Sequence, residues 1–287
     1  MFLKKPIKII ISSLLLIFIL AGNTLAQKKN QISPWFFIQL TDPQFGMFEK
    51  NESFEKETIL YEKAVSAINK LRPDFVVITG DFVHNQKSVS QINEFKRITS
   101  KINPEIPVYY TPGNHDIGQV PNKQSLKKYR KNYGSDKFSF THNGSSFVGF
   151  NSGLIKAKLE KWEQKQYKWL SKKVKKSRNA DHTILFCHYP FFNKTVDEPE
   201  SYSNIGLEYR EKYLSLFETN GVDAIFTGHH HRNNLAGFGK IQLVTTSAVG
   251  KPLGDDPSGI RIVKIYIDKI KHEYYGLDEL PDSVKFD

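Results

Sequence analysis

Short apolar runs alternate with longer segments of helical periodicity along most of the chain. Uncharged runs that predict buried strands occur at residues 36–40, 75–79 and 108–111. Between the first two runs, apolar positions recur at three- and four-residue intervals over residues 53–71, which predicts a helix that ends before Pro73. A second helix is predicted over residues 89–102. Strands and helices in this alternating order are typical of an α/β layer architecture.

The second half of the chain repeats this alternation with less regular spacing. Further strands are predicted at residues 137–140, 146–151, 183–186 and 224–226, with a Lys-rich helix around residues 159–174. The segment 241–275 is strand-rich and contains Gly and Pro turns at residues 250–259. Two sheets between layers of helices accommodate this order. We expect a single domain over residues 27–287, since no linker interrupts it.

The first 26 residues have the pattern of a secretory signal peptide. Lys4, Lys5 and Lys8 precede an uncharged apolar run at residues 9–21, and the small side chains of Thr24 and Ala26 predict cleavage before Gln27. The alternative is an uncleaved N-terminal membrane anchor. We therefore expect export to a periplasm or to the extracellular space, with no stable membrane insertion after cleavage. A single cysteine, Cys187, excludes an intrachain disulfide.

The composition is that of an ordered globular protein, with 39% hydrophobic and 25% charged residues. Removal of the three signal lysines lowers the formal net charge from +11 to +8. Lysines cluster at residues 123–131 and 161–176. These clusters fit solvated helix faces better than a nucleic-acid or anionic-lipid surface, because no nucleic-acid fold signature accompanies them.

Polar residues follow five of the predicted strands, at the point where each strand ends. These motifs are Asp42-Pro43-Gln44, Gly80-Asp81, Gly113-Asn114-His115-Asp116, His188 and Gly228-His229-His230-His231. In open α/β sheets, ligands gather at the carboxyl ends of the strands, so Asp42, Asp81 and Asn114 are expected on one rim. Glycine before Asp81, Asn114 and His229 lets the backbone turn sharply there.

Together these motifs resemble the calcineurin-like metallophosphoesterase family, whose pattern is Asp-x-His, Gly-Asp, Gly-Asn-His-Asp or Glu, a lone His, and Gly-His-x-His. The likeness is closer to the subgroup that carries Asp-Pro-Gln at the first motif, which includes a eukaryotic serine/threonine phosphatase. The segments that match this subgroup are residues 39–46, 113–118, 228–233 and 247–261. The resemblance implies a four-layer α/β/β/α sandwich with two mixed sheets, and hydrolysis of phosphoesters.

The resemblance also implies two metal sites that share one carboxylate. Asp42, Gln44, Asp81 and His231 would hold the first ion, and Asp81, Asn114, His188 and His229 would hold the second. Carboxylate, carbonyl and imidazole donors without a thiolate point to Mn, Fe or Zn. A hydroxide bridging the two ions is the expected nucleophile, because metal ions lower the pKa of bound water.

His115 is the expected general acid for the leaving group, and Asp116 is expected to orient it. The alternatives are a structural histidine and a turn-capping carboxylate. His84 and Arg232 are candidate substrate contacts; for Arg232 the alternative is a salt bridge. Gln44 is either a weaker metal ligand than the family's histidine or a hydrogen-bond partner of a metal-bound water.

Substrate choice is left open by the sequence. A phosphorylated small molecule and a phosphoprotein both fit a phosphomonoesterase, and a phosphodiesterase could use the same metal core. The long segment at residues 189–209 contains Phe191, Phe192, Tyr202 and Tyr209, and either caps the site or packs on the surface. The competing class is a catalytically weak metal-binding module, for which Gln44 would be the first sign of decay.

Overall fold

The computed structural model describes residues 33–286. The predicted signal peptide at residues 1–26 and the predicted cleavage before Gln27 lie outside the described residues, so both stay predictions. Within residues 33–286, no helix is long and apolar enough to cross a membrane.

The predicted strands and helices are present, and four further elements lie between them. The strands are β1 (Trp35–Leu40), β2 (Val76–Thr79), β3 (Val108–Thr111), β4 (Phe138–His142), β5 (Ser145–Gly149), β6 (Thr183–Phe186), β7 (Ala224–Thr227), β8 (Asn234–Phe238), β9 (Ile241–Thr245), β10 (Gly259–Ile265) and β11 (Ile270–Gly276). The helices are α1 (Glu55–Leu71), α2 (Val89–Thr99), α3 (Asn114–Ile117), α4 (Lys123–Tyr133), α5 (Ser152–Lys156), α6 (Glu160–Lys176) and α7 (Leu207–Thr219). The four further elements are α3, α5, α7 and β8.

These strands form two mixed sheets. The first sheet has the order β11-β10-β1-β2-β3, in which β1, β2 and β3 are parallel and β10 runs antiparallel to β1. The second sheet has the order β4-β5-β6-β7-β9-β8, in which β5, β6, β7 and β9 are parallel and each edge strand is antiparallel to its neighbour. The predicted α/β fold with two mixed sheets is therefore confirmed.

Helices cover the outer face of each sheet. Apolar residues of α1, α2 and α4, among them Ile68, Phe95 and Tyr129, share one buried cluster with alternate residues of β1, β2 and β10. Residues of α6 and α7, among them Leu170 and Phe217, share a second cluster with residues of β5, β6, β7 and β9. Each sheet therefore has its own outer core, which gives the four-layer order.

An aromatic layer fills the space between the two sheets. Phe37 of β1 stacks on Phe75 with ring centroids 4.8 Å apart, and its edge meets Phe186 of β6 at 5.7 Å and Phe226 of β7 at 6.0 Å. Side chains alternate across a strand, so Ile38, the next residue along, belongs to the outer cluster instead. This alternation brings the two sheets into contact and places their loops at a common rim.

Candidate metal centre

Five of the seven predicted metal ligands have left-handed backbones. Positive φ values occur at Asp42 (53°), Gln44 (38°), Asp81 (50°), His229 (71°) and His231 (54°). Such a conformation is uncommon for residues other than glycine and costs on the order of 1–3 kcal/mol at each position. The turns after β1, β2 and β7 are therefore held in shape by their surroundings, and they direct the ligand side chains to one rim.

Two glycines permit the close approach of these turns. A Cβ atom at Gly113 would overlap the Asp81 carboxylate, and a Cβ atom at Gly228 would overlap the side chain of Thr41. Any larger residue at either position would therefore displace a predicted ligand or its immediate support. Glycine is therefore required at positions 113 and 228 because a side chain there would overlap its neighbours.

Asp42 is fully buried and has one oxygen free for a ligand. Its Oδ2 accepts hydrogen bonds from Thr41 Oγ1 at 2.7 Å and from the backbone N–H of His229 at 3.0 Å. Its Oδ1 has no hydrogen-bond partner among the described residues, and lies 3.4 Å from His231 Nε2. A buried carboxylate oxygen without a partner is costly unless a cation binds it.

Gln44 also has a buried side-chain oxygen that is free for a ligand, here in a neutral amide. The residue is 2% exposed, and its Oε1 has no hydrogen-bond partner among residues 33–286. Its Nε2 lies 3.2 Å from Nδ1 of His84, so the amide is oriented by a donated hydrogen bond and its oxygen is left available. This arrangement fits direct ligation as well as it fits a hydrogen bond to a metal-bound water.

A second donor group gathers around Asp81. One ligand atom from each of Asp81, His188 and His229 lies within 4.8 Å of the others, and all three residues are buried. Asp81 Oδ2 is 3.2 Å from His188 Nε2, and its Oδ1 accepts the backbone N–H of His115 at 2.7 Å. Asn114 Oδ1 is also 3.2 Å from His188 Nε2, which places the amide oxygen in this group.

Backbone carbonyls orient the three histidines. Nδ1–H of His188 donates to Thr79 O at 2.7 Å, and Nδ1–H of His231 donates to Lys251 O at 2.5 Å. In both rings Nε2 is then the nitrogen that faces the carboxylates. His229 uses the opposite nitrogen, since its Nε2 lies 3.2 Å from Tyr202 O and Nδ1 is left for a ligand. Such second contacts fix the tautomer of a ligating histidine.

Burial and neighbouring charges shift the pKa values of the site residues in opposite directions. Burial would lower the pKa of His188, but the Asp81 carboxylate raises it to about 9. Burial and then the charge of His188 lower the pKa of His229 to about 3. For Asp42, burial acts to raise the pKa, while the neighbouring His231 holds it below its ordinary value. The carboxylates are thus ionised, which suits the binding of cations.

The donor set fits two metal ions. One group offers Asp42 Oδ1, Gln44 Oε1 and His231 Nε2, and the other offers Asp81, Asn114, His188 and His229. Two oxygens of the first group, Asp42 Oδ1 and Gln44 Oε1, are buried and have no hydrogen-bond partner among residues 33–286, as expected for groups that bind a cation. Cys187, in contrast, is fully buried with its Sγ–H directed at Tyr189 O, as expected for a core residue rather than a ligand.

His115 stands beside the donor groups, at the partly exposed rim. Its ring stacks on that of His84 with centroids 4.7 Å apart, and its Nδ1–H donates to His84 O at 2.7 Å. Asp116 is placed differently from its predicted role, because its two oxygens accept the backbone N–H groups of Phe82 and Gly113, each at 2.8 Å. The carboxylate has the geometry of the turn-capping alternative, and the His84 carbonyl oxygen orients His115.

The other candidate substrate contacts, Arg232 and the aromatic residues at 189–209, differ in their distance from the predicted ligands. Arg232 is exposed, and its Nε donates to Leu253 O at 2.8 Å, so the guanidinium lies along a neighbouring loop. Of the aromatic residues at 189–209, Phe191 and Phe192 are core residues. Tyr202 is 58% exposed, and its hydroxyl accepts a hydrogen bond from Asn114 Nδ2 at 3.3 Å. Only Tyr202 among the four predicted aromatic residues contacts a predicted ligand in this way.

Two residues at this rim, Tyr189 and Gln119, are not among the sequence-predicted site residues. Tyr189 is buried with its ring centroid 4.2 Å from that of His229, and its hydroxyl donates to Gln119 Oε1 at 3.1 Å. Gln119 Nε2 in turn donates to the Tyr202 hydroxyl at 3.3 Å. Tyr189 directly follows the predicted ligand His188, and this adjacency is the sequence signal that marks it.

Gln44 offers a direct test of the first donor group. The change Gln44→His restores the family's more common ligand, so we expect tighter binding of one ion by about tenfold and a shift in preference from Mn toward Zn. Competition titrations of Mn against Zn on the metal-free protein measure both effects. Gln119→His, which adds an imidazole at the exposed rim, is the control. Unchanged affinities in Gln44→His would show that this residue contacts a water and not the ion.

Comparison with known proteins agrees with this geometry. The family model for calcineurin-like phosphoesterases matches residues 37–233. Serine/threonine-protein phosphatase CPPED1 of Homo sapiens is 35% identical over 287 aligned positions, which cover 91% of each chain. The corresponding protein of Danio rerio is 32% identical over 280 positions, again covering 91% of each chain.

A solved structure also has this fold. A dimetal phosphatase from Danio rerio superposes with a TM-score of 0.60 at 14% identity, covering 85% of this chain and 97% of that one. This likeness shows the fold alone, whereas the family match and the relatives aligned over 91% of their length show the family. On these grounds the chain belongs to the calcineurin-like phosphoesterase family and is a metal-dependent phosphatase.

Proposed function

We propose that this phosphatase uses two metal ions to hydrolyse phosphomonoesters outside the cytoplasm. The observation that carries the proposal is the cluster of Asp81, His188 and His229, together with two buried oxygens, Asp42 Oδ1 and Gln44 Oε1, that have no hydrogen-bond partner among residues 33–286. Mn, Fe and Zn suit these donors, because the set mixes carboxylate, amide oxygen and imidazole and lacks a thiolate.

In this proposal the metal ions, when bound, activate a water molecule and stabilise negative charge on the phosphate oxygens. The chain supplies the remaining contributions. Asp42 and Asp81 lie at full burial and 1% exposure, so their charges act in a site from which water is largely excluded. The Asn114 amide is held between His188 Nε2 and the Tyr202 hydroxyl, which directs its oxygen into the donor group.

His115 is proposed to protonate the leaving oxygen. Its Nδ1–H is committed to the His84 carbonyl oxygen, so any proton for the leaving group resides on Nε2. The ring is supported from one side by the His84 ring, which is nearly parallel to it at an interplanar angle of 19°. His84 thus contacts both His115 and Gln44, since its Nδ1 accepts a hydrogen bond from Gln44 Nε2.

Two features support a monoester over a diester substrate. The human relative is named a serine/threonine-protein phosphatase, and a phosphorylated serine or threonine is a phosphomonoester. Tyr202 lies beside the site, with its ring centroid 4.8 Å from that of His229, and in this proposal it occupies space that the second substituent of a diester would need. A phosphoprotein and a phosphorylated small molecule both satisfy this proposal.

A panel of aryl phosphomonoesters and the matching phosphodiesters, assayed with added Mn, tests the substrate class. We expect a higher kcat/KM for the monoesters. Faster cleavage of the diesters would overturn the monoester proposal while leaving the phosphoesterase assignment intact. The variant Asp81→Asn, purified in parallel, controls for contaminating phosphatases from the expression host.

The location outside the cytoplasm rests on the sequence of residues 1–26. The mass of the protein isolated from its native cell tests this part separately. A chain that begins at Gln27 supports export with cleavage of the signal peptide. An intact N-terminus in the membrane fraction would instead support the anchored alternative.

A further inference from the structure

Arg261 is a buried arginine that crosses from one sheet to the other. It lies on β10 of the first sheet and is 6% exposed. Its Nε donates to Thr246 Oγ1 at 2.8 Å and its Nη2 donates to Asn233 Oδ1 at 2.6 Å, and both partners border strands of the second sheet. Burial of a guanidinium is expensive, and burial lowers the pKa of Arg261 to about 10. The hydrogen bonds of Arg261 must therefore offset the cost of its burial.

The groups around Arg261 are arranged as acceptors for it. His272 Nε2–H donates to Gln242 Oε1 at 3.1 Å, which leaves Nδ1 to accept from Arg261 Nη1 at 3.1 Å. Burial and then the charge of Arg261 lower the pKa of His272 to about 4, so this ring is neutral. Thr246 Oγ1–H donates in turn to Gln39 Oε1 at 2.5 Å. The guanidinium is thus fixed in a polar network between the sheets.

Asn233 connects this network to the metal centre. Its Oδ1 accepts from Arg261 Nη2 and also from the backbone N–H of Ser247 at 3.2 Å. Its own backbone N–H donates to Asp256 Oδ2 at 2.6 Å. Asn233 lies two residues after His231, so it anchors the end of the loop that carries His229 and His231.

That loop requires an anchor. His229 and His231 both have left-handed backbones, and such conformations persist only when the surrounding contacts hold them. On one side, the loop is held by the backbone N–H of Leu253, which donates to His231 O at 2.9 Å. On the other side, Asn233 is held by Arg261. The His231 ring itself donates to Lys251 O, and the two loop contacts fix the backbone from which the ring reaches Asp42.

We propose that Arg261 is a positioning residue for the metal centre, which acts through Asn233 to fix His231 against Asp42. It touches neither donor group directly. His231 belongs to the group with Asp42 and Gln44, whereas His229 lies farther from the anchor. The first group should therefore depend on Arg261 more than the group of Asp81, His188 and His229. This inference rests on the proposed ligand role of His231.

The test compares Arg261→Gln with Val263→Ala. Val263 lies two residues farther along β10, hence on the same face of the sheet, and is fully buried. Mn binding to the metal-free proteins is followed by calorimetry, and paramagnetic resonance distinguishes coupled Mn pairs from single ions. We expect Arg261→Gln to weaken one of two Mn sites by about 10- to 100-fold, the range for groups that orient a ligand. Val263→Ala should lose stability but keep both sites.

A second pair of variants tests the connection itself. Asn233→Ala removes the acceptor and should reproduce the loss of one Mn site, whereas Asn233→Asp keeps an acceptor for Arg261 and should retain both sites. Because these variants leave Arg261 in place, they decide the question even if Arg261→Gln fails to fold. Normal binding of two Mn ions by Arg261→Gln or by Asn233→Ala would overturn the proposal.

The variant His231→Ala separates the two levels of inference. If His231→Ala binds two Mn ions normally, the ligand assignment is wrong, whatever Arg261→Gln does. If His231→Ala loses one ion and Arg261→Gln does not, the ligand assignment stands and the positioning role of Arg261 fails. Loss of the same ion in both variants supports the proposal. Excess Mn should then restore the coupled-pair signal in Arg261→Gln but not in His231→Ala.

Discussion

Replacement of Asp81 by asparagine is expected to lower kcat/KM by about 10³-fold or more, the upper range for loss of one charged or hydrogen-bonding group in an active site. Asparagine has nearly the same shape as aspartate, so the change removes one charge and little volume. The lost charge lies 3.2 Å from His188 Nε2 and is the carboxylate proposed to be shared by both ions. We therefore expect fewer than two equivalents of bound metal together with the loss of activity.

Metal analysis of the purified variant, with kinetics on an aryl phosphate, measures both quantities. The matched control is Asp136→Asn, which changes another buried aspartate that is paired with Arg130 at 3.0 Å, outside both donor groups. This control should lose stability and keep its metal. Two equivalents of metal and near-normal kcat/KM in Asp81→Asn would show that the shared-carboxylate assignment is wrong.

Replacement of His115 by alanine is expected to slow the hydrolysis of substrates with poor leaving groups by about 10²- to 10⁴-fold, the usual contribution of a general acid. Alkyl phosphates should show the full effect, because their alkoxide needs a proton as it leaves. 4-Nitrophenyl phosphate should show much less. The contact between His115 and Asp81 is made by the backbone N–H, so removal of the ring leaves this support for the metal centre intact.

The comparison variant is Asn114→Ala, one residue earlier in the same helix α3. Its amide oxygen lies in the donor group, so this change should release metal and lower activity on every substrate equally. Kinetics across leaving groups, with metal content measured in parallel, distinguish the two roles. Equal loss of metal from both variants would contradict the roles assigned to His115 and Asn114.

The parts of the fold that could be predicted from sequence were those with strong local patterns. The strands that precede Asp42, Asp81 and Asn114 are short apolar runs, and α1 ends one residue before Arg72-Pro73, as the proline predicts. The sequence patterns do not predict helices α3, α5 and α7 or strand β8. The sequence of β8, Asn234–Phe238, contains Gly237 and is only partly buried, so it lacks the apolar run that marked the other strands.

The predicted site residues that depend on contacts distant in sequence could not be resolved in the same way. The sequence favours Asp116 as the group that orients its neighbour His115, yet in the structure its oxygens accept from the backbone N–H groups of Phe82 and Gly113. The sequence gives no role for Arg261, because its partners, Thr246 and Asn233, lie 15 and 28 residues away and border strands of the other sheet. Hydrophobic periodicity predicts which face of a strand or helix a residue occupies. It does not predict which distant loop packs against that face.

The left-handed backbones at five ligand positions have a consequence for how the chain acquires its metal. At these predicted ligand positions a non-glycine side chain occupies a backbone conformation that such residues disfavour. In the metal-free chain this conflict has no compensation beyond the surrounding contacts, so the rim should be the region that opens first. Metal ions that bind only the folded rim stabilise it by mass action. Metal supply in the compartment where the protein folds would then limit the amount of durable protein as well as its activity.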